Sequence, residues 1–165
     1  MPERIFGLAP FICPEARVLI LGSMPSEASL KQGFYYGHKQ NRLWKIVGLM
    51  LGRELNTIEE KKAAAHELKL AFFDVIKSCV REGSLDSAIT KPEPEDIAAL
   101  CAQYPSIERI ILNGGLAKKL FFKFNDLSKI KAEVFSLPST SPANAQYSLE
   151  RLTALYSPII RCQNS

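Results

Sequence analysis

No two of the four cysteines (Cys13, Cys79, Cys101, Cys162) stand in a CxxC pair. Their scatter argues against a zinc or iron–sulfur centre and fits free thiols in a reducing cytoplasm. No apolar run approaches the ~20 residues that a membrane helix needs. The opening stretch, MPERIFGLAPFICPEARVLILG, has no basic segment leading into an unbroken apolar one. Neither a secretory leader nor a membrane partner is therefore expected, and the cytoplasm is the expected location. A GxGxxG is missing, and no GK[ST] follows a glycine-rich loop, so no dedicated phosphate cradle is present. Repeats, low-complexity tracts and long linkers are absent as well. With 165 residues, this predicts one domain over 1–165 with room for a sizeable core.

Charge excess is small. The net charge of +4 and pI near 8.9 are compatible with a polyanionic partner but do not demand one. The densest basic pairs, Lys61-Lys62 and Lys118-Lys119, fall in helical patterns and read as solvated faces.

What the chain does have is alternation. Four apolar stretches read as buried strands: 17–22, 70–76, 109–114 and 133–138. The first and third are near-continuous apolar runs, as parallel strands covered on both faces require. Helical periodicity predicts helices near 41–52, 57–67, 93–103, 115–124 and 148–157. The alternation implies an α/β fold, a three-layer α/β/α sandwich with a short, mainly parallel four-stranded sheet. Ligands of such folds bind outside the carboxyl ends of the strands, so the four loops that follow the strands are where function is sought.

The first loop begins GSMPS at Gly22 and runs into GFYYGHKQN. Gly22 permits a sharp turn and Pro25 stiffens it. Tyr35 and Tyr36 lie between Gly33 and Gly37, either packed on the core or free to stack on a planar ligand. His38 has no evident acid partner, and Asn41 stands where a helix cap is expected. The second loop, KSCVREGSLD, brings Lys77, Ser78 and Arg81 after Asp74. Lys77 and Arg81 would share a helical face and suit phosphates, or else form a surface pair balanced by Glu82 and Asp86. Ser84 reads as a helix cap. In the third, NGGLAKK, Asn113 satisfies backbone groups at a glycine-enabled helix entry. The fourth, PSTSPANA, sets three hydroxyls between two prolines, either as a solvated turn or as a stiff loop that touches phosphates.

Four strings, LILGSMPSEASL, FYYGHKQNRLWKIVG, DVIKSCVREGSLDSAI and LPSTSPANA, taken in order, resemble the uracil-DNA glycosylase superfamily. The nearest branch is the DNA-deoxyinosine (hypoxanthine-DNA) glycosylase-like one, with mismatch-specific uracil/thymine-DNA glycosylases as relatives. YYGHKQNRLW is similar to the family pattern YYxHPxNxFW. The resemblance implies a monofunctional glycosylase of base excision repair, a monomer without metal or cofactor. Its partner would be DNA containing a deaminated base, hypoxanthine or uracil, which it flips out before hydrolysing the N-glycosidic bond. It places Gly22, Ser23, Met24, Pro25, Tyr36, Asp74 and Ser78 around the base, with Tyr36 stacking on it. Ser26, Lys77, Arg81, Ser139, Thr140, Ser141, Pro142, Ala143 and Asn144 would meet the DNA, the last loop also filling the gap in the duplex.

Three positions depart from the family pattern. Met24 stands where relatives carry a water-activating Asp or Asn, and methionine cannot orient or deprotonate water. That role moves to Asn41, whose amide orients water without acting as a base, which predicts modest turnover. Lys39 replaces the family's Pro, and Leu43 its Phe. Two rivals follow: an inactive DNA-binding module, and a hydrolase of free nucleosides, against which the gap-filling loop speaks.

Overall fold

The computed structural model describes residues 3–161; Cys162 and the ends of the predicted domain lie outside the described residues. A parallel sheet occupies the middle, in the order β3 (Leu70–Asp74), β2 (Val18–Gly22), β6 (Arg109–Asn113), β7 (Glu133–Leu137). Period-two alternation sends its apolar side chains to two separate cores. Leu19, Leu21, Ala71, Phe73, Ile110 and Leu112 pack on one side, with Ile97 of α4 (Ile97–Gln103) and Leu120 and Phe121 of α5 (Gly115–Phe124). Val18, Ile20, Leu70, Phe72 and Ile111 pack on the other, against α2 (Leu43–Leu51), α3 (Ile58–Leu68) and α6 (Leu149–Arg161). These are the three layers, and the four parallel strands fall within the predicted spans.

Two features depart from the sequence reading. The first four residues of the predicted second loop belong to a strand. After Asp74 the chain turns at Val75, whose N–H donates to the Gly22 carbonyl at 2.8 Å, and continues as β4 (Ile76–Val80). This strand joins β1 (Arg4–Phe6) and β5 (Thr90–Pro94) in a second, antiparallel sheet ordered β1-β4-β5. Isoleucine, cysteine and valine at 76, 79 and 80 favour strand over helix there. The helix expected from 93 begins only at Ile97, with Asp96 accepting from the Ala99 N–H at 3.0 Å. Pro92 and Pro94 lack the donors a helix needs, and they sit instead on an edge strand, where proline is tolerated.

A short helix, α1 (Glu27–Gln32), lies within the predicted first loop. Ser26 caps it by accepting from the Ser29 N–H at 3.1 Å, and Gly33 closes it in the left-handed conformation at φ 74°. No helix among the described residues is long and apolar enough to cross a membrane.

Candidate functional site

A cavity of about 690 Å³ opens at the carboxyl ends of β2, β3, β6 and β7. Its floor follows from strand register: β2 and β3 run parallel with Gly22 beside Asp74. A Cβ at Gly22 would come within 2.7 Å of Asp74 Oδ1 and 3.2 Å of the Tyr36 hydroxyl, so only glycine fits. The turn that follows is fixed from outside. Ser23 donates to Asp86 Oδ1 at 2.7 Å, and the buried Arg81 donates from Nη2 to the Pro25 carbonyl at 2.6 Å.

Tyr36 occupies the left-handed region at φ 54°, an uncommon place for an aromatic residue. Both neighbours hold it there. The Tyr35 carbonyl accepts from Trp44 Nε1 at 2.9 Å, and the Tyr35 hydroxyl donates to the Ala9 carbonyl at 2.7 Å. On the other side the Gly37 N–H donates to Ser29 Oγ at 2.8 Å, and Gln32 Nε2 donates to the Gly37 carbonyl at 3.0 Å. Gly37 is thus packed in place, and the aromatic cluster is a clamp rather than a hinge. The Tyr36 ring stands edge-on to Phe72, and its hydroxyl is buried without a hydrogen-bond partner.

A chain of side-chain hydrogen bonds links the loops. Asn113 donates from Nδ2 to Thr140 Oγ1 at 3.0 Å and accepts the Thr140 N–H at 3.0 Å. Thr140 in turn donates to Asn41 Oδ1 at 2.8 Å, and the same oxygen accepts the Leu43 N–H at 2.9 Å. Asn41 therefore caps α2, with its carbonyl oxygen committed twice. Its amide nitrogen is what it can offer to the cavity. Arg42 collects the fourth loop, donating to the carbonyls of Thr140 at 3.3 Å, Ser141 at 2.7 Å, Asn144 at 2.9 Å, and Tyr147.

Electrostatically the floor is unusual. Asp74 is 5% exposed, and its Oδ2 has no partner. Burial, then the Asp86 charge, lift its pKa to about 7, against a smaller opposing pull from Arg81. Burial, then Asp74, also push the Tyr36 hydroxyl well above its ordinary value. An unpartnered carboxyl and an unpartnered hydroxyl side by side invite a ligand with complementary donors and acceptors.

Gly22, Ser23, Met24, Pro25, Ser26, Tyr36, Asn41, Asp74, Ser139, Thr140, Ser141, Ala143 and Asn144, all singled out in the sequence, line this cavity. Six expectations need correction. Ser78 is fully buried in the second sheet, accepting from Arg4 Nη1 at 2.9 Å and donating to Glu93. Lys77 is exposed on β4 and does not line the cavity. Arg81 is buried behind Pro25, out of reach of a phosphate. Thr140 is fully buried and its hydroxyl serves Asn41 and Asn113, so it is a tie between loops. Pro142 sits exposed between lining residues without lining the cavity itself. Ser84 accepts from the Glu27 N–H at 2.9 Å instead of capping a helix.

Sequence reasoning missed the roles of Arg42, Leu85, Asp86 and Lys118, the last three of which line the cavity. Only the fold's crossing at Val75 brings residues 85 and 86 to it. Metal-ligand chemistry gathers elsewhere. Cys13, Glu15 and His66 bring their ligand atoms within 4.8 Å of one another, beside the amino ends of β2 and β3. The cavity lies at the opposite end of the sheet.

Comparison with known proteins agrees with this geometry. The family model described as the uracil DNA glycosylase superfamily matches residues 9–158. A hypoxanthine DNA glycosylase of Methanosarcina acetivorans is 32% identical over 148 residues, 88% of this chain and 91% of that one. Its namesake from Methanosarcina barkeri is 32% identical over 110 residues, 66% and 70% of the respective chains. A solution NMR structure from Methanosarcina acetivorans, described as that of a candidate uracil DNA glycosylase, superposes with a TM-score of 0.81 at 30% identity. It covers 96% of this chain and 98% of its own. A cavity at the strands' carboxyl ends, walled by these four loops, is thus found in a chain that belongs to the uracil DNA glycosylase superfamily.

Proposed function

We propose that this protein is a DNA glycosylase that releases hypoxanthine from deoxyinosine in DNA. The observation that carries the reading is the pair of buried, unpartnered polar atoms on the cavity floor, Asp74 Oδ2 and the Tyr36 hydroxyl. Hypoxanthine presents an N–H beside a carbonyl on its pairing edge. Ionised Asp74 accepts that N–H, and the Tyr36 hydroxyl donates to the carbonyl. Uracil shares the N–H and carbonyl, so the purine preference rests on the names of the 32% identical relatives.

The chemistry follows from what the walls can and cannot do. Met24 offers no proton acceptor. Asn41 has spent its carbonyl oxygen on Leu43 and Thr140, so it holds water by donating from Nδ2 to the water oxygen. The C1′–N9 bond opens first, its electron pair leaving with the base, and the held water then adds to the cationic C1′. Its proton passes to solvent or to the departing base. With no general base to assist, turnover is slow.

The test is base release from labelled duplexes bearing one deoxyinosine or one deoxyuridine, with free deoxyinosine alongside. Release from the deoxyinosine duplex that falls at least about tenfold in Asn41→Ala, with binding little changed, is expected. Equal loss of release and binding makes Asn41 structural. DNA binding without release from any substrate replaces the enzyme with an inactive module.

A further inference from the structure

We infer that Cys13, Glu15 and His66 form a zinc site at the end of the sheet opposite the cavity. The thiolate, a carboxylate oxygen and an imidazole nitrogen are its protein ligands, and water takes the fourth position. The three ligand atoms lie within 4.8 Å of one another. Zinc bonds of about 2.0–2.3 Å set neighbouring ligand atoms about 3.3–3.6 Å apart in a tetrahedron. Glu15 and His66 are exposed, so rotation of their side chains closes the difference, and solvent reaches the open position. The donor set selects the ion. A thiolate and an imidazole suit zinc, whereas calcium and magnesium take oxygen ligands.

The backbone around the trio is fixed before any ion arrives. Cys13 opens a turn that closes when the Ala16 N–H donates to its carbonyl at 3.0 Å, with Pro14 in the second position, where its ring favours a turn. The Ser106 hydroxyl holds this turn from outside, donating to the carbonyls of Pro14 at 3.1 Å and Ala16 at 2.7 Å. Cys13 itself is 4% exposed. His66 stands in the last turn of α3, its ring edge-on to Phe11 with centroids 6.0 Å apart. Phe11 is anchored in turn, exchanging two backbone hydrogen bonds of 2.9 Å with Phe72 of β3. Ligands held in this way lose little freedom on binding.

The charge that acts on the Cys13 thiol is the Glu15 carboxylate, so a cation is favoured between them. On binding, the S–H bond gives way to a sulfur–zinc bond and the proton leaves to solvent. The ion ties the turn before β2 to the end of α3, bracing the sheet at its amino end. This goes beyond the glycosylase reading and does not depend on it. The sequence expectation of no metal rested on the missing CxxC; this trio escapes that test because its third ligand comes from a helix distant along the chain.

The full chain, reduced and stripped of metal with a chelator, is titrated with zinc alone by calorimetry and with cobalt alone by absorption spectroscopy. One ion per chain is expected, with a thiolate-to-cobalt charge-transfer band and the visible bands of tetrahedral cobalt. Glu15→Gln and His66→Ala alter exposed side chains and preserve the fold; each is expected to weaken binding at least about tenfold. Cys13→Ser is expected to abolish the charge-transfer band, and Cys101→Ser and Cys162→Ser to keep it. Zinc is expected to raise the melting temperature of the unaltered protein and not that of His66→Ala. No stoichiometric binding by the unaltered protein, an undiminished affinity in both Glu15→Gln and His66→Ala, or a charge-transfer band that survives Cys13→Ser would each overturn the site. Base release enters none of these readouts, so failure of the glycosylase reading leaves the result standing.

Discussion

Asp74 keeps its proton in the folded protein to a pKa of about 7, against 3.8 for an ordinary aspartate. Between those values the unfolded chain has already lost the proton, so the folded state binds more protons. Stability therefore falls as pH rises from about 4 to about 7 and is level above that. At about 1.4 kcal/mol per unit, the loss is on the order of 4 kcal/mol. Urea unfolding at pH 5 and pH 8 is expected to show this decline in the unaltered protein and not in Asp74→Asn; parallel declines in both would remove Asp74 as its source. In the proposed reaction activity takes the opposite sign, because there it is the ionised form that would accept the base N–H. Release is expected to rise through pH 7, and Asp74→Asn to flatten that rise. Asn41 is separable in another way. Asn41→Asp retains an oxygen to cap α2 but loses the amide donor, so melting temperature should hold while release falls. Retained or faster release would make position 41 an acceptor of the water's proton. The types of these residues were legible in the sequence, as were Gly22 and Tyr36. The double commitment of the Asn41 oxygen was not, because it depends on Thr140, 99 positions away.

Among the elements, β4 shows where reading by pattern stops. Charged and polar residues at 77, 78 and 81 look like a loop or a helix face when only neighbours along the chain are considered. Residues 77 and 78 nevertheless lie in a strand, because β1 and β5 lie on either side, a pairing between segments more than 70 positions apart in the case of β1. By contrast the parallel strands needed only their own apolar runs. The fourth loop was recognised by its composition, yet what shapes it is Arg42, one residue past the segment's most obvious candidate. Four carbonyls converge on that guanidinium. Bonds to charged donors contribute about 1.5–3 kcal/mol each, not additively. Arg42→Met is expected to cost roughly 3 kcal/mol or more and to expose residues 139–147 to limited proteolysis. Arg42→Lys, lacking the planar fork, should restore little of it. A loop equally resistant to protease in both variants would show that Asn113 and Thr140 suffice.

At the scale of the whole molecule, one parallel sheet separates two apolar cores and delivers four loops to one end, which the alternation of strands and helices foretold. The added antiparallel sheet supplies residues 84–86 to the same end. Of the lysines and arginines, Lys118 alone lines the cavity among the described residues. DNA affinity should accordingly depend only weakly on salt, with a log–log slope of about −1 to −3. A slope steeper than about −5, measured by fluorescence anisotropy between 50 and 200 mM salt as an order-of-magnitude range, would reveal a basic track elsewhere on the surface. Arg42 has one more consequence. It grips the fourth loop by peptide oxygens, which every residue possesses, so identity matters there only where a side chain also ties the loop, at Ser139, Thr140, Ser141 and Asn144. Positions such as Ala143 and Gln146 can be rewritten without losing the scaffold, making this segment the natural place for lesion preference to drift, or to be engineered, while the chain around it stays as it is.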